Sequence, residues 1–230
     1  MCPSTSELKL IADGPDDAPL TLILAHGAGG PMDSPFMRTV ARGLADSGLK
    51  VIRFNFNYMN AAAESGRRGR PDSTESLLQQ WRYVFKEVRG SSSRVAIGGK
   101  SMGGRMATMV ADELEAAAVV CLGYPFHPPG RPEKARTAHL EAMRTRTLFV
   151  QGTRDSFGTP DDVQGYALSQ QIEMAWIEDG DHSLKPRKSS GRTEPENIDE
   201  AVSFIVNFLD AGNSADADRR RRRNPGSQRR

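Results

Sequence analysis

The chain has 230 residues, of which 37% are hydrophobic, and this is enough for one core of ordinary size. No stretch approaches the roughly 20 apolar residues that a membrane-spanning helix needs, and the first ten residues lack the basic and apolar regions of a signal peptide. The two cysteines, Cys2 and Cys121, give no disulfide framework. We therefore expect one domain in a reducing, cytoplasmic compartment.

Charge is unevenly distributed along the chain. Residues 219–230 hold seven arginines and no acid, and the remaining 24 basic and 29 acidic residues give the rest of the chain a net charge of −5. A short charge run without aromatic residues is usually a solvated end. We therefore predict an acidic domain over residues 1–211 and a disordered Arg-rich tail over residues 212–230. Contact of the tail with nucleic acid or another polyanion is the less favoured alternative.

Short apolar runs alternate along the chain with amphipathic segments. The runs are β-branched and nearly continuous, as in strands buried on both faces, so the alternation predicts a mainly parallel sheet with helices on both faces. The predicted strands are Leu20–Ala25, Lys50–Phe56, Arg94–Gly98, Ala117–Gly123, Thr147–Gln151 and Ile172–Ile177, with Glu7–Ile11 as a further edge strand. The predicted helices are Pro35–Gly48, Asp72–Gly90, Met102–Leu114, Arg131–Met143, Asp161–Gln170 and Pro195–Leu209.

The segment G-G-K-S-M-G-G, at residues 98–104, crowds four glycines around one serine. A phosphate-binding loop would need a glycine at position 94, but Arg94 stands there, inside a predicted strand. A nucleophile elbow reads G-x-S-x-G directly between a strand and a helix, and residues 99–103 fit both the pattern and the context. The segment therefore predicts that Ser101 is a nucleophile held on a sharp turn.

A serine nucleophile needs a histidine that takes its proton and an acid that orients the histidine. In open parallel sheets the binding residues follow the carboxyl ends of the strands, and for an elbow the chain order is serine, acid, histidine. Asp155 follows one predicted strand in G-T-R-D, and His182 follows the next in G-D-H-S. The sequence therefore predicts the catalytic triad Ser101, Asp155 and His182.

The other histidines and acids fit the triad less well. His26 precedes the serine, and no acid on a strand-end loop lies between Ser101 and either His127 or His139. Asp179 and Asp181 are the fallback acids, but they lie too close to His182 in sequence to reach its ring easily.

Acyl transfer also needs N–H donors for the oxyanion that develops on the acyl oxygen. The residue after the nucleophile, Met102, supplies one of them. The loop H-G-A-G-G, at residues 26–30, is predicted to supply the second from Ala28, with Gly27 shaping the turn. A plain glycine turn is the alternative, and His26 is expected to hold the loop rather than act as a base.

The sequence also carries longer segments around these residues: H-G-A-G-G-P from His26, R-F-N-F from Arg53, G-K-S-M-G-G-R from Gly99, G-Y-P-F-H-P-P from Gly123, Q-G-T-R-D from Gln151 and E-D-G-D-H from Glu178. In these segments the chain resembles the α/β-hydrolase superfamily, and more narrowly a small group of predicted hydrolases related to dienelactone hydrolase. That group includes relatives that act in eukaryotic chromatin-regulating complexes. The resemblance implies the α/β-hydrolase fold, with a mainly parallel sheet of about seven strands. Because residues 123–146 are too short for a large lid, it also implies an open site and disfavours lipase activity.

Basic residues recur on the strand-end loops. One hypothesis is that they bind an acyl substrate with an anionic group, and the other is that they are scattered, solvated charges without a ligand. We expect no metal site and no cofactor. The residues that we predict to contact the substrate are Tyr58, Tyr124, Phe126, Lys100 and Arg154, and for the three aromatic residues ordinary packing is an equal alternative.

The combined pattern predicts a serine hydrolase that cleaves an ester, thioester or similar small acyl bond through an acyl-enzyme. The alternative is a non-catalytic interaction module that keeps the α/β-hydrolase fold, because a fold does not fix a function. The substrate, the oligomeric state and the purpose of the tail do not follow from the sequence.

Overall fold

The computed structural model describes residues 8–67, 69–90, 92 and 94–223, and for residues 213–223 it describes the backbone. Seven strands form one sheet in the order β1-β3-β2-β4-β5-β6-β7, in which β1 is antiparallel to β3 and every other pair is parallel. The strands are β1 (Leu10–Asp13), β2 (Thr21–Ala25), β3 (Lys50–Phe54), β4 (Val95–Lys100), β5 (Val119–Leu122), β6 (Thr147–Gly152) and β7 (Ile172–Ile177). The α-helices are α1 (Pro35–Asp46), α2 (Asn57–Ser65), α3 (Thr74–Arg89), α4 (Met102–Val110), α5 (Pro160–Gln164) and α6 (Glu194–Arg223).

Helices cover both faces of the sheet, as the alternation of segments predicted. Leu22 and Leu24 of β2 are buried in one apolar cluster together with residues of α1 and α6. Their neighbours Ile23 and Ala25 are buried in a second cluster together with residues of α3 and α4. Because successive side chains of a strand point to opposite faces, both faces of the central strands need apolar residues, and this explains their continuous apolar runs.

The predicted helix over Arg131–Met143 is wrong, since this segment contains one short 3₁₀ helix at Pro132–Lys134 and isolated turns over residues 138–142. The chain is extended at Ala135, and Arg136 is held by its backbone, which donates to Phe126 O at 2.7 Å and accepts from the Tyr124 hydroxyl at 2.9 Å. These tertiary hydrogen bonds override a composition that favours helix. Between β5 and β6 there is therefore no helical lid.

Two further helices differ from the prediction. Helix α5 ends at Gln164, before Gly165, and is half as long as the predicted helix over Asp161–Gln170. Helix α2 follows β3 in a segment for which no helix was predicted, although three consecutive alanines, 61–63, are a helical signal there.

The last helix, α6, begins at Glu194 and runs through Arg223, past the predicted domain boundary at residue 212. Residues 224–230, with the last two arginines, lie outside the described residues. The division into an acidic domain and a disordered tail stays a prediction.

Candidate active site

The site lies at the carboxyl edge of the sheet, where the chain leaves β2, β4, β6 and β7. Ser101 stands between β4 and α4 with φ 50° and ψ −114°, a backbone conformation that L-residues rarely adopt. Glycines on both sides allow the turn to pack closely. A Cβ atom on Gly99 would lie 2.2 Å from Ala25 O, and one on Gly103 would lie 2.5 Å from His26 O. The backbone of the elbow therefore packs in close contact with the end of β2.

Three side chains from separate strand ends form a hydrogen-bonded chain. Ser101 Oγ lies 2.9 Å from His182 Nε2, and His182 Nδ1 lies 2.8 Å from Asp155 Oδ2. Asp155 is fully buried, whereas the His182 side chain keeps 24% exposure. The structure thus brings together the three residues that the sequence analysis selected, with the histidine between the hydroxyl and the acid.

The carboxylate of Asp155 has two further partners that fix its orientation. Oδ2 accepts from Gln151 Nε2 at 2.8 Å, and Oδ1 accepts from the Phe157 N–H at 2.9 Å. Gln151 Oε1 in turn accepts from the Tyr124 N–H at 2.7 Å. The Phe157 ring lies 4.2 Å from the imidazole of His182. Sequence reasoning missed the role of Gln151, for which the only signal was a polar residue at the end of an apolar strand.

The fallback acids are engaged elsewhere. Asp179 accepts from Arg187 Nε at 2.8 Å and pairs with Arg154, and these cations hold the pKa of its carboxyl below its usual range. Asp181 Oδ1 accepts from the N–H groups of Ser183 and Lys185, at 2.7 and 3.0 Å. Both acids therefore shape the loop that carries His182, and neither is hydrogen-bonded to its ring.

The loop after β2 lies against the elbow. A Cβ atom on Gly27 would stand 3.5 Å from Ser101 Cβ. His26 is fully buried, and its Nε2 accepts from the Phe56 N–H at 3.1 Å, so its Nδ1 carries the proton and donates to Gly27 O at 2.6 Å. Burial lowers the pKa of His26, which keeps this ring neutral. The loop is thus fixed by a neutral histidine that lies outside the hydrogen-bonded chain.

The two N–H groups predicted for the oxyanion belong to Met102, the residue after the serine, and to Ala28, the residue after Gly27. Met102 is the first residue of α4, where N–H groups have no intrahelical acceptor. Within the part of the chain that the structure describes, neither the Met102 N–H nor the Ala28 N–H has a hydrogen-bond acceptor. The carbonyl of Ala28 accepts from the Tyr58 hydroxyl at 3.4 Å. Both donors therefore lack an acceptor among the described residues.

The residues predicted to contact the substrate lie in different surroundings. Tyr124 and Phe126 are fully buried and pack against Phe149 in the core. Tyr58 is 6% exposed, and Arg154 donates to Asp179 O at 2.9 Å. Neither Tyr124 nor Phe126 offers surface to a ligand in this structure, and the charge of Arg154 is balanced by Asp179.

Lys100, the residue before the nucleophile, is also occupied by the protein. Its ammonium donates to the main-chain carbonyl of His182 and lies 5.0 Å from the centre of the Phe36 ring. Burial lowers the pKa of Lys100 to about 8, against the opposing effect of Asp155 and Asp181. Lys100 therefore ties the elbow to the loop that carries the histidine.

Replacing Lys100 with methionine should stabilise the fold at neutral pH. Between pH 8 and 10.5 the unfolded lysine keeps a proton that the folded one has lost, so the free energy of unfolding of the wild type rises with pH across this window. In urea unfolding at pH 7, we expect the free energy of unfolding of Lys100→Met to exceed that of the wild type by about 1 to 2 kcal/mol, which includes the loss of the hydrogen bond. This difference should vanish near pH 10.5. Lys86→Met, at an exposed helix position, is the control and should give no such pH-dependent difference in the free energy of unfolding. Equal changes in the free energy of unfolding for both variants would contradict the prediction.

Other kinds of site are not found among the described residues. No group of three or more His, Cys, Asp or Glu side chains there could hold a metal ion. No helix in those ranges is long and apolar enough to cross a membrane. Cys121 is buried and free, while Cys2 lies outside the described residues.

Comparison with known proteins gives one family and several similar structures. A family model described as an alpha/beta hydrolase domain matches residues 18–210. A serine hydrolase without a lid from Xanthomonas campestris is similar over 89% of this chain and 87% of its own, at 21% identity and a TM-score of 0.64. Est1E from Butyrivibrio proteoclasticus with bound ferulic acid is similar over 88% and 95%, at 17% identity and a TM-score of 0.65. A dienelactone hydrolase from Anabaena variabilis is similar over 90% and 93%, at 21% identity and a TM-score of 0.65.

Proposed function

This chain belongs to the alpha/beta hydrolase domain family, and on that basis we propose that it is a serine hydrolase that cleaves an ester, thioester or similar small acyl bond. The observation that carries the proposal is the unbroken hydrogen-bonded chain from Ser101 Oγ through His182 to Asp155, at 2.9 and 2.8 Å. A strained elbow at Ser101, a buried acid on His182 and two N–H groups without acceptors on the adjoining segments support the proposal, because acyl transfer is the chemistry that uses all of them.

In the proposed reaction, Ser101 Oγ attacks the acyl carbon while its proton passes to Nε2 of His182. Asp155 accepts from Nδ1–H, which holds the imidazole in the tautomer whose Nε2 is free to accept. The N–H groups of Met102 and Ala28 receive the negative charge of the acyl oxygen, and a single such donor contributes about 3 to 4 kcal/mol.

The acyl-enzyme forms when the bond to the leaving group breaks, and His182 gives its proton to the departing alcohol or thiol. Water then attacks the acyl carbon and loses a proton to His182. Release of the carboxylic acid restores Ser101 with its hydrogen on Oγ. No metal or cofactor takes part in these steps.

A neutral fluorophosphonate probe tests the proposal on the purified full chain. We expect one covalent adduct per folded molecule, located on Ser101 by peptide mass spectrometry, and no adduct after heat denaturation. An adduct on another serine, or none on folded protein, would overturn the proposal. The absence of any adduct would favour the alternative, an interaction module with the same fold.

A further inference from the structure

One cation at the elbow contacts the main chain of the histidine rather than an acid. The ammonium of Lys100, the residue before the nucleophile, donates to the carbonyl oxygen of His182 and lies 5.0 Å from the centre of the Phe36 ring on α1. Among the described residues no carboxylate forms an ion pair with Lys100, although the charges of Asp155 and Asp181 act on it from further away. The hydrogen bond of Lys100 is therefore made to the backbone of the residue that is proposed to take the proton of the nucleophile.

Two glycines make room for the Lys100 side chain. A Cβ atom on Gly27, in the loop after β2, would lie 3.3 Å from Lys100 Cγ. A Cβ atom on Gly123, directly after β5, would lie 3.0 Å from Lys100 Nζ, 2.7 Å from His182 O and 3.3 Å from His182 Nδ1. Gly123 has φ 65°, in the left-handed region that favours glycine. Any other residue there would place a side chain where the ammonium and the histidine meet.

The loop that carries His182 is held by hydrogen bonds next to the histidine and by Lys100 at the histidine itself. Leu184 O accepts from Asn197 Nδ2 at 2.7 Å, and the Leu184 N–H donates to Asp181 O at 2.8 Å. Within the part of the chain that the structure describes, the His182 carbonyl has no hydrogen-bond donor other than Lys100. Lys100 is thus the contact that fixes the peptide unit of His182 relative to the elbow.

The place of Lys100 in the structure is unfavourable for stability. Burial lowers its pKa to about 8, so at neutral pH the ammonium is kept in its charged form against a desolvation penalty. For the same reason Lys100→Met is expected to have a higher free energy of unfolding than the wild type. A residue that lowers stability beside a candidate nucleophile indicates a contribution to function that offsets this cost.

We propose that Lys100 is a positioning residue, which holds His182 by its main-chain carbonyl so that Nε2 stays within hydrogen-bond distance of Ser101 Oγ, an inference that rests on the proposed hydrolase function. An ammonium is a stronger donor to a carbonyl than a neutral amine. The form with charged Lys100 is therefore the more active one, and activity declines as the ammonium loses its proton. The titratable groups around the ammonium are the carboxyls of Asp155 and Asp181 and the imidazole of His182.

Steady-state hydrolysis of 4-nitrophenyl acetate by the full chain tests this role. At pH 7 we expect Lys100→Met to lower kcat by about tenfold to a hundredfold and to change KM by no more than about twofold, because the proton transfer is misaligned while the contacts with the substrate remain. The kcat of the wild type should fall as the pH rises through about 8, where Lys100 loses its proton. The kcat of Lys100→Met should show no such fall.

Lys86→Met, at an exposed position of α3, is the matched control and should keep the wild-type kcat at every pH. Equal kcat of the wild type and Lys100→Met at pH 7, or the same decline of both above pH 8, would overturn the proposal. Urea unfolding at pH 7 distinguishes positioning from general support of the fold. A lower kcat together with a lower free energy of unfolding in Lys100→Met would assign Lys100 a purely structural role and also overturn the proposal.

Crystal structures of the wild type and both variants at pH 7 separate failure of this proposal from failure of the hydrolase function. The distance from Ser101 Oγ to His182 Nε2, 2.9 Å here, should lengthen in Lys100→Met and stay the same in Lys86→Met, whether or not the protein is catalytic. A longer distance in Lys100→Met, with a wild type that the fluorophosphonate does not label, would overturn the hydrolase function alone. An unchanged distance with a labelled wild type would overturn the role of Lys100.

Discussion

Ser101→Ala should reduce hydrolysis of a 4-nitrophenyl ester to the background rate of the buffer, a loss of kcat of about a million-fold when measured against a fully active enzyme. Alanine removes the only atom that can bond to the acyl carbon, while the N–H groups of Met102 and Ala28 and the imidazole of His182 stay in place. Because the backbone strain at residue 101 applies to any L-residue, the free energy of unfolding should change by no more than about 0.5 kcal/mol.

The control for this variant is Ser156→Ala, since Ser156 is exposed on a strand-end loop next to Asp155. It should keep wild-type turnover and wild-type labelling. Initial rates measure the turnover of the three proteins, and urea unfolding measures their free energies of unfolding. A Ser101→Ala protein that kept even about one per cent of the wild-type rate would place the nucleophile elsewhere.

Asp155→Asn should lower kcat by about 10⁴-fold and leave the fold intact. Asp155 Oδ2 accepts from both Gln151 Nε2 and His182 Nδ1, and Oδ1 accepts from the Phe157 N–H. An asparagine amide cannot reproduce this pattern in either orientation. With its NH₂ group towards Gln151, two donors meet, and the histidine is driven to the tautomer whose Nε2 carries hydrogen. With the amide reversed, the NH₂ group faces the Phe157 N–H.

The rate of fluorophosphonate labelling shows whether the tautomer is the cause. In the wrong tautomer Nε2 cannot accept the proton of Ser101, so the fluorophosphonate labelling rate should fall together with kcat. Asp161→Asn, at an exposed position at the start of α5, should change neither rate. A loss of tenfold or less in Asp155→Asn would mean that another group orients His182.

The strands could be predicted from the sequence because they are short and buried on both faces. Predicted and observed bounds of the runs that became β2, β6 and β7 differ by at most one residue. The parallel order then places the ends of β4, β6 and β7 on one edge, so chain order alone could select Ser101, Asp155 and His182. Segment 131–143 could not be predicted in this way, because its backbone forms only isolated turns and is fixed at Arg136 by hydrogen bonds to Phe126 and Tyr124.

The sequence did not show which charged and polar side chains pair with one another. Arg154 and Arg105 cannot be distinguished by charge in the sequence. In the structure Arg154 forms an ion pair with Asp179, and no described carboxylate forms one with Arg105. Gln151 lies in the quoted segment Q-G-T-R-D, but its hydrogen bond to Asp155 depends on how the chain turns between these two residues after β6. Such facts follow from packing in three dimensions.

Edge strand β7 determines when, during synthesis, all three proposed catalytic residues are present in the folded domain. It is the last strand in the sheet order, pairs with β6 alone, and leads directly to the loop of His182. A nascent chain that has emerged only through residue 170 contains Ser101 and Asp155, but it still lacks β7 and His182. Because a domain generally folds as a unit, we expect incomplete chains to lack the proposed hydrolase activity until β7 has docked.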